Sequence, residues 1–287
     1  MTSLRSRLAS ADIIAAPGVY DAFSARLMED LDFPAVYLGG NAVGLQLAKG
    51  QPFVDASDMI RAVAQVRSAV AVPIVVDAAA GFGEAAHTYR AVRDLERAGA
   101  SALHVDDQIH PKRAHYHLGR AHLVPVDAMV AKLEAAVAAR RSDETLIIAR
   151  TDALRSTRSL PAAMTRAQAY AGTGIDALLV LDAGVDEVGA LRAAIPGLPL
   201  AWMAGPQAAA PSLAELSTAG FRLALYPFQS IVAVTGALLS TWGAFAVAGR
   251  VSPPSQPVKA LLDTALRVAD MPTYWDIERR TVEPPSA

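Results

Sequence analysis

The chain has 287 residues, 53% of them hydrophobic, which is enough for the core of one large α/β domain or two small ones and excludes a disordered chain. With 26 lysines and arginines against 28 aspartates and glutamates, the net charge of −2 supplies no concentrated positive face for nucleic acid or an anionic membrane, so a small-molecule partner is expected. The lack of cysteine excludes disulfides, thiolate metal sites and a cysteine nucleophile.

The N-terminal stretch MTSLRSRLASADIIAAPG has no long apolar run of the signal-peptide kind, and a cytoplasmic location is the expectation. Eight short apolar, β-branched runs follow in order: 12–18, 34–40, 72–78, 101–107, 145–151, 176–183, 198–204 and 221–227. Most gaps between them hold a helix-period segment, among them DASDMIRAVAQVRSAV, EAAHTYRAVRDLERAG and PVDAMVAKLEAAVAARR. Near-continuous apolar strands alternating with helices indicate a parallel sheet buried on both faces. Eight such units predict a (β/α)8 TIM barrel, with an open doubly wound sheet as the alternative, since periodicity does not show closure.

Glycines in ERAGA, YAGTG and STAGF are expected to end three of the helices in the left-handed conformation, and Asp58 lies near the start of another. After the eighth run, SIVAVTGALLSTWGAFAVAG is apolar nearly all round; a buried helix, covered by the rest of the chain or by another subunit, is favoured over a membrane span. The expected organisation is a barrel over 1–251 that includes this helix, then a proline-rich linker and C-terminal helical extension over 252–287.

In a (β/α)8 barrel the active site forms at the C-terminal ends of the strands. Tyr20 and Asp21 follow strand one, Asp77 ends strand three, Asp106 and Asp107 end strand four, Arg150 ends strand five and Asp182 ends strand six. Carboxylates converging with an arginine suit a divalent cation held by oxygen and a substrate carboxylate or phosphate held by the guanidinium. Any one of these aspartates is equally explained as a helix cap. The connection after strand four, HVDDQIHPKRAHYHLGRAH (104–122), spans about 18 residues where such loops usually have roughly 2–6, as expected of a lid. Its His115 and His117 are candidates for acid/base work, for metal binding, or for a solvated loop surface. Trp202 ends strand seven, either as an apolar pocket wall or as barrel core. AGFGEA (80–85) lacks the GKS/T of a P-loop, so no nucleotide site is read there.

PGVYDAFSARLMEDLDFPAVYLGG, VPIVVDAAAGFGE, LERAGASALHVDDQIHPKR, LIIARTDAL and FRLALYPFQSI together resemble the isocitrate lyase/phosphoenolpyruvate mutase superfamily over about residues 5–250. The resemblance is nearest to methylisocitrate lyases and carboxyphosphonoenolpyruvate mutases. It implies a Mg2+-dependent barrel that makes or breaks C–C or P–C bonds beside a 2-oxo acid through a metal-bound enolate, commonly as a tetramer exchanging a C-terminal helix. It places Asp77 and Asp106 at the metal. Tyr20, Asp21, Gly39, Gly40, Arg150, Asp182 and Trp202 fall at the substrate, and Asp107, Lys112, Arg113 and the loop histidines at the chemistry.

The departures fall on that chemistry. Ala79 stands where the family's second metal-site aspartate belongs, and Asp106 and Asp182 replace longer acids. Ala114 stands near the family's loop cysteine, while Trp202 and Gly205 replace an asparagine and a glutamate. Losing a carboxylate weakens Mg2+ binding, and an alanine moves no proton. Two expectations follow: a divergent enzyme acting on a 2-oxo or 2-hydroxy carboxylate by C–C cleavage, hydrolysis or decarboxylation, with proton transfer from the histidine loop; or a metal-independent enzyme or ligand-binding barrel holding a larger apolar molecule against Trp202. A small wet pocket favours the first and a roomy apolar one the second.

Overall fold

The structure is a computed structural model and describes residues 3–10, 12–115, 122–206, 210–251 and 257–282. Each of the eight apolar runs forms one strand: β1 (Ile14–Val19), β2 (Val36–Leu38), β3 (Ile74–Asp77), β4 (Ala102–Asp106), β5 (Leu146–Thr151), β6 (Ala177–Val180), β7 (Leu200–Met203) and β8 (Phe221–Tyr226). All pair in parallel and in sequence order, and β8 returns to β1 with Ile14 opposite Leu223, so the sheet closes as a (β/α)8 barrel and the open sheet is excluded. The helices are α1 (Leu4–Leu8), α2 (Ala22–Asp30), α3 (Gly40–Gln46), α4 (Ala56–Ala69), α5 (Ala85–Ala98), α6 (Val126–Ala139), α7 (Ala153–Thr157), α8 (Leu160–Ala171), α9 (Val188–Ala194), α10 (Leu213–Ala219), α11 (Gln229–Ala248), α12 (Val258–Val268) and α13 (Met271–Thr281). α1, α3 and α7 went unread in the sequence, being five to seven residues long. That is too short to establish a 3.6-residue pattern.

Alternation along the strands sorts the side chains into two layers. Tyr37, Val75, Ala102, Ile148, Leu179 and Leu225 fill the barrel interior. Their immediate neighbours Leu38, Val76, Leu103, Ile147, Leu178 and Ala224 pack outward against the helices. Full burial of each Val, Leu or Ile contributes about 1.5–3 kcal/mol, so a one-residue slip in any strand exchanges a packed layer for a clash.

Helix ends are set locally. Asp55 caps α4 by accepting from the Asp58 amide while the Asp58 carboxylate accepts from the Asp55 amide. Gly99 and Gly220 end α5 and α10 in the left-handed region, as expected. In YAGTG the left-handed residue is Gly174 (φ 83°), three positions beyond α8, because Gly172 still holds right-handed helical geometry.

The chain divides into two compact units, Met1–Ile231 and Val232–Ala287; the division expected at 251/252 falls inside the second. The burial expected of the apolar helix is not found. α11 has no buried residue, with Leu239 71% and Trp242 56% exposed, because nothing in the described chain covers it. By length and composition alone it would also cross a membrane. Most of the proline-rich linker (252–256) and the tail (283–287) lie outside the described residues.

Candidate active site

A cavity of about 320 Å³ opens at the C-terminal ends of the strands, lined by Tyr37, Gly39, Gln51, Asp77, Arg150 and Asp182, with Arg155, Arg158, Met203 and Phe228 around its rim. A larger groove of about 600 Å³ lies beside the N-terminal ends of β7 and β8, lined by Leu8, Pro196, Arg192 and Arg222. It carries no carboxylate or histidine, and that face of such barrels serves stability, so the smaller cavity is the chemical one.

Strand register builds the cavity floor. Asp77 lies opposite His104, and Asp106 opposite Arg150 two residues further along, so four polar side chains from three adjacent strands face inward at the mouth of the barrel. The His104 Nε2 is 2.8 Å from the Tyr37 hydroxyl, the two rings stack at 5.7 Å, and the Asp77 Oδ1 lies 3.8 Å from the same nitrogen. The Asp77 Oδ1 accepts from the Ala79 amide, and Oδ2 accepts from the Gly40 amide and the Gln51 side chain. Burial alone would raise the Asp77 pKa, but the nearby His104 ring, the Lys112 and Arg150 charges and the Ala79 amide outweigh it and hold the carboxyl well below its usual range.

Burial drives His104 the other way, to about 4, so its ring is neutral at neutral pH despite the nearby carboxylates. A histidine whose pKa is lower in the folded than in the unfolded state stabilises the fold fully above the unfolded value and loses that contribution as pH falls through the folded one. Stability is therefore expected to decline by about 3 kcal/mol between pH 6.5 and 4, and His104→Gln to flatten that slope, in urea unfolding followed across pH. An unchanged slope in the variant would assign the acid sensitivity elsewhere.

Arg150 is buried, and Asp152 holds its Nε at 2.8 Å and Nη2 at 3.1 Å; Gln108 donates to the same Asp152 carboxylate at 2.7 Å. The guanidinium is thus oriented before any ligand arrives. Lys112, from the loop after β4, forms a buried ion pair with Asp106, whose other oxygen accepts from the Gln108 amide. The base of this loop is tied by an antiparallel bridge between Gln108 and Leu123.

Other expected site residues lie elsewhere. Asp107 follows Asp106 by one residue and so faces the opposite side of the barrel wall, where Thr151, Arg166 and Tyr170 donate to its carboxylate. Burial raises its pKa, and these bonds describe a structural anchor. Trp202 also points outward into the helical layer against Tyr226, correcting its reading as a pocket wall; its neighbour Met203 lines the cavity instead. Asp21 caps α2 through the Ser24 amide, and Tyr20 is buried beside it; neither lines the cavity. Gly39 lines it, and Gly40 enters through its amide to Asp77. Asp182 lies on the rim in a two-pronged ion pair with Arg155. Arg113 and His115 are exposed and outside the cavity lining, and His117 lies outside the described residues. Tyr37, Gln51, Arg155 and Arg158 went unread, although the rule that picked out Arg150 at the end of β5 also applies to the two arginines just after it.

Residues 4–245 match the phosphoenolpyruvate phosphomutase family. The chain belongs to that family. It is 35% identical over 246 residues to the 2,3-dimethylmalate lyase of Eubacterium barkeri, covering 84% of each chain. With the oxaloacetate decarboxylase of Rhodopseudomonas palustris it shares 34% over 247 residues, covering 84% of this chain and 83% of that one. Among solved structures it superposes on phosphonopyruvate hydrolase in complex with oxalate and Mg2+, with a TM-score of 0.83, 25% identity and coverage of 97% and 98%. The expected membership of the isocitrate lyase/phosphoenolpyruvate mutase superfamily therefore holds, and it makes the chain an enzyme of the carbon–carbon lyase type.

The family's divalent cation can be tested against the donors present. Mg2+ demands near-octahedral oxygen ligation. Here position 79 is alanine, Asp77 already accepts three N–H groups, and Asp106 is neutralised by the Lys112 ammonium, whose charge opposes a second cation. Among the described residues no three histidine, aspartate or glutamate side chains form a metal-holding group. This donor set does not fit a tightly held Mg2+.

Proposed function

We propose that this phosphoenolpyruvate phosphomutase-family enzyme cleaves a C–C bond in a 2-oxo or 2-hydroxy carboxylate, by retro-aldol cleavage or decarboxylation, in the cytoplasm. The observation that carries the reading is the buried Arg150 guanidinium, pre-oriented by Asp152, lining a small polar cavity with Tyr37 and Asp77. A planar carboxylate is the complement of such a guanidinium. Bound there, the substrate places its C2 oxygen beside Tyr37, where the hydroxyl donor and the Arg150 guanidinium lower the cost of the enolate-like charge that develops as the bond breaks. The neutral His104 ring, 2.8 Å from the Tyr37 hydroxyl, positions that hydroxyl at the cavity floor. His115 is exposed outside the cavity lining, so an acid/base role for it requires this residue to move inward.

The alternative of a larger apolar ligand against Trp202 loses its motive, because Trp202 faces away from the cavity. The test of the main reading is calorimetric binding of oxalate and pyruvate, in chelator and in Mg2+. Binding of either ligand that persists in chelator supports it. Binding found only with Mg2+ would return the metal to the site, and no binding under both conditions would refute the carboxylate pocket.

The exposed apolar surface of α11 is a cost in water for a lone chain. The homo-oligomer with an exchanged C-terminal helix, tetramer or dimer, is the cover we assign to it. Light scattering is expected to give a multiple of 30.0 kDa, reduced by Leu239→Asp; a wild-type monomer would sink this assignment.

A further inference from the structure

Arg158 ends α7 in the left-handed conformation, with φ 56° and ψ 25°. A side chain in that region crowds its own backbone, and glycine is the usual residue at such a helix end. Of the non-glycine residues with positive φ among those described, Arg158 and Asp182 are the two that line the cavity. An unfavourable backbone retained at the rim of a polar cavity points toward function.

The charges around the cavity differ in how they are compensated. Arg150 on the floor is held by Asp152. Arg155 on the rim is held by both oxygens of Asp182 at 2.7 and 2.6 Å. Arg158 has no ion pair and no side-chain hydrogen bond among the described residues, and it is exposed at the mouth. The cavity thus has an oriented guanidinium at its floor and an uncompensated one at its entrance, with the Arg155–Asp182 pair between them as a wall of little net charge. A monocarboxylate satisfies the first and leaves the second in solvent, whereas a dicarboxylate satisfies both.

We propose that Arg158 anchors a second carboxylate of the substrate and makes the pocket selective for dicarboxylic over monocarboxylic 2-oxo and 2-hydroxy acids. The proposal rests on the reading that Arg150 takes the first carboxylate. Because Arg158 is exposed, its contribution is screened, and a preference of about threefold to fivefold is expected.

The test is calorimetric titration of malate and lactate into wild type, Arg158→Gln, Arg158→Gly and Arg150→Gln. Wild type is expected to bind malate about threefold to fivefold more tightly than lactate; both Arg158 variants are expected to bring malate down to the lactate level and leave lactate unchanged. Arg158→Gly is also expected to raise Tm by about 2 °C, since glycine relieves the left-handed backbone, so affinity and stability move in opposite directions. A malate-to-lactate ratio unchanged in Arg158→Gln, with both ligands weakened by Arg150→Gln, overturns the role of Arg158 and leaves the carboxylate pocket standing. If wild type binds neither ligand, or Arg150→Gln weakens neither, the pocket reading falls and this proposal with it.

Discussion

Arg150→Gln is expected to lower kcat/KM on any 2-oxo or 2-hydroxy acid substrate by roughly 10²- to 10³-fold, the largest functional effect of any single substitution at the site. Glutamine keeps much of the side chain's reach and hydrogen-bonding capacity but removes the charge that a buried carboxylate requires. The loss should fall on both KM and kcat, because the same guanidinium holds the ground-state carboxylate and fixes the angle at which the neighbouring bond breaks. Arg150→Lys should recover only a small part, since an ammonium cannot keep the two-pronged contact with Asp152. Steady-state kinetics on a substrate found by screening, with Tm measured in parallel, checks the prediction. A variant that stays folded and retains activity within about threefold would remove Arg150 from the chemistry.

The largest effect on stability is expected from Lys112→Ala. Asp106 is fully buried and Lys112 nearly so, and truncating one partner leaves the other charge in the barrel mouth without a counterion. Breaking such a pair typically costs about 3–5 kcal/mol, much of it the uncompensated charge and not the worth of the bond itself. The double variant Lys112→Ala/Asp106→Asn should therefore be more stable than Lys112→Ala alone, a non-additivity that urea unfolding at neutral pH will show. Since the ammonium already answers the Asp106 carboxylate, the wild-type unfolding midpoint should not respond to Mg2+ or to chelator. Additive single and double variants would mean that Asp106 finds solvent or another partner when Lys112 is gone.

The barrel is legible in the sequence because parallel strands buried on both faces are written as short continuous apolar runs, and all eight are present in order. The same continuity conceals which residues of a strand face inward. Asp106 and Asp107 are adjacent and chemically alike, yet one faces the cavity and the other the helical layer, and only register separates them. Trp202 fails for the same reason: a tryptophan at a strand end attracts attention, while Met203 beside it lines the pocket. The Tyr37–His104 contact joins residues 67 apart in sequence and depends on β2, β3 and β4 lying side by side at a fixed stagger. Tyr37 itself sits in an apolar run, where nothing marks it as polar machinery. Ala79 is informative from the sequence alone, because a missing carboxylate shows as a gap in a motif. That Lys112 pairs with Asp106 is visible only in three dimensions. For α11 the apolar composition is clear, but composition does not state whether the covering surface belongs to the same chain.

C–C cleavage beside a carboxylate held by Arg150, without a resident divalent cation, is tested most directly by proton NMR of oxaloacetate, 2,3-dimethylmalate and 2-methylisocitrate incubated with wild type and Arg150→Gln, in chelator and in Mg2+, with the uncatalysed reaction as reference. At least one substrate is expected to give its cleavage products with wild type in chelator, and Arg150→Gln to lose most of that rate. Turnover seen only with Mg2+, or equal in wild type and Arg150→Gln, would contradict it.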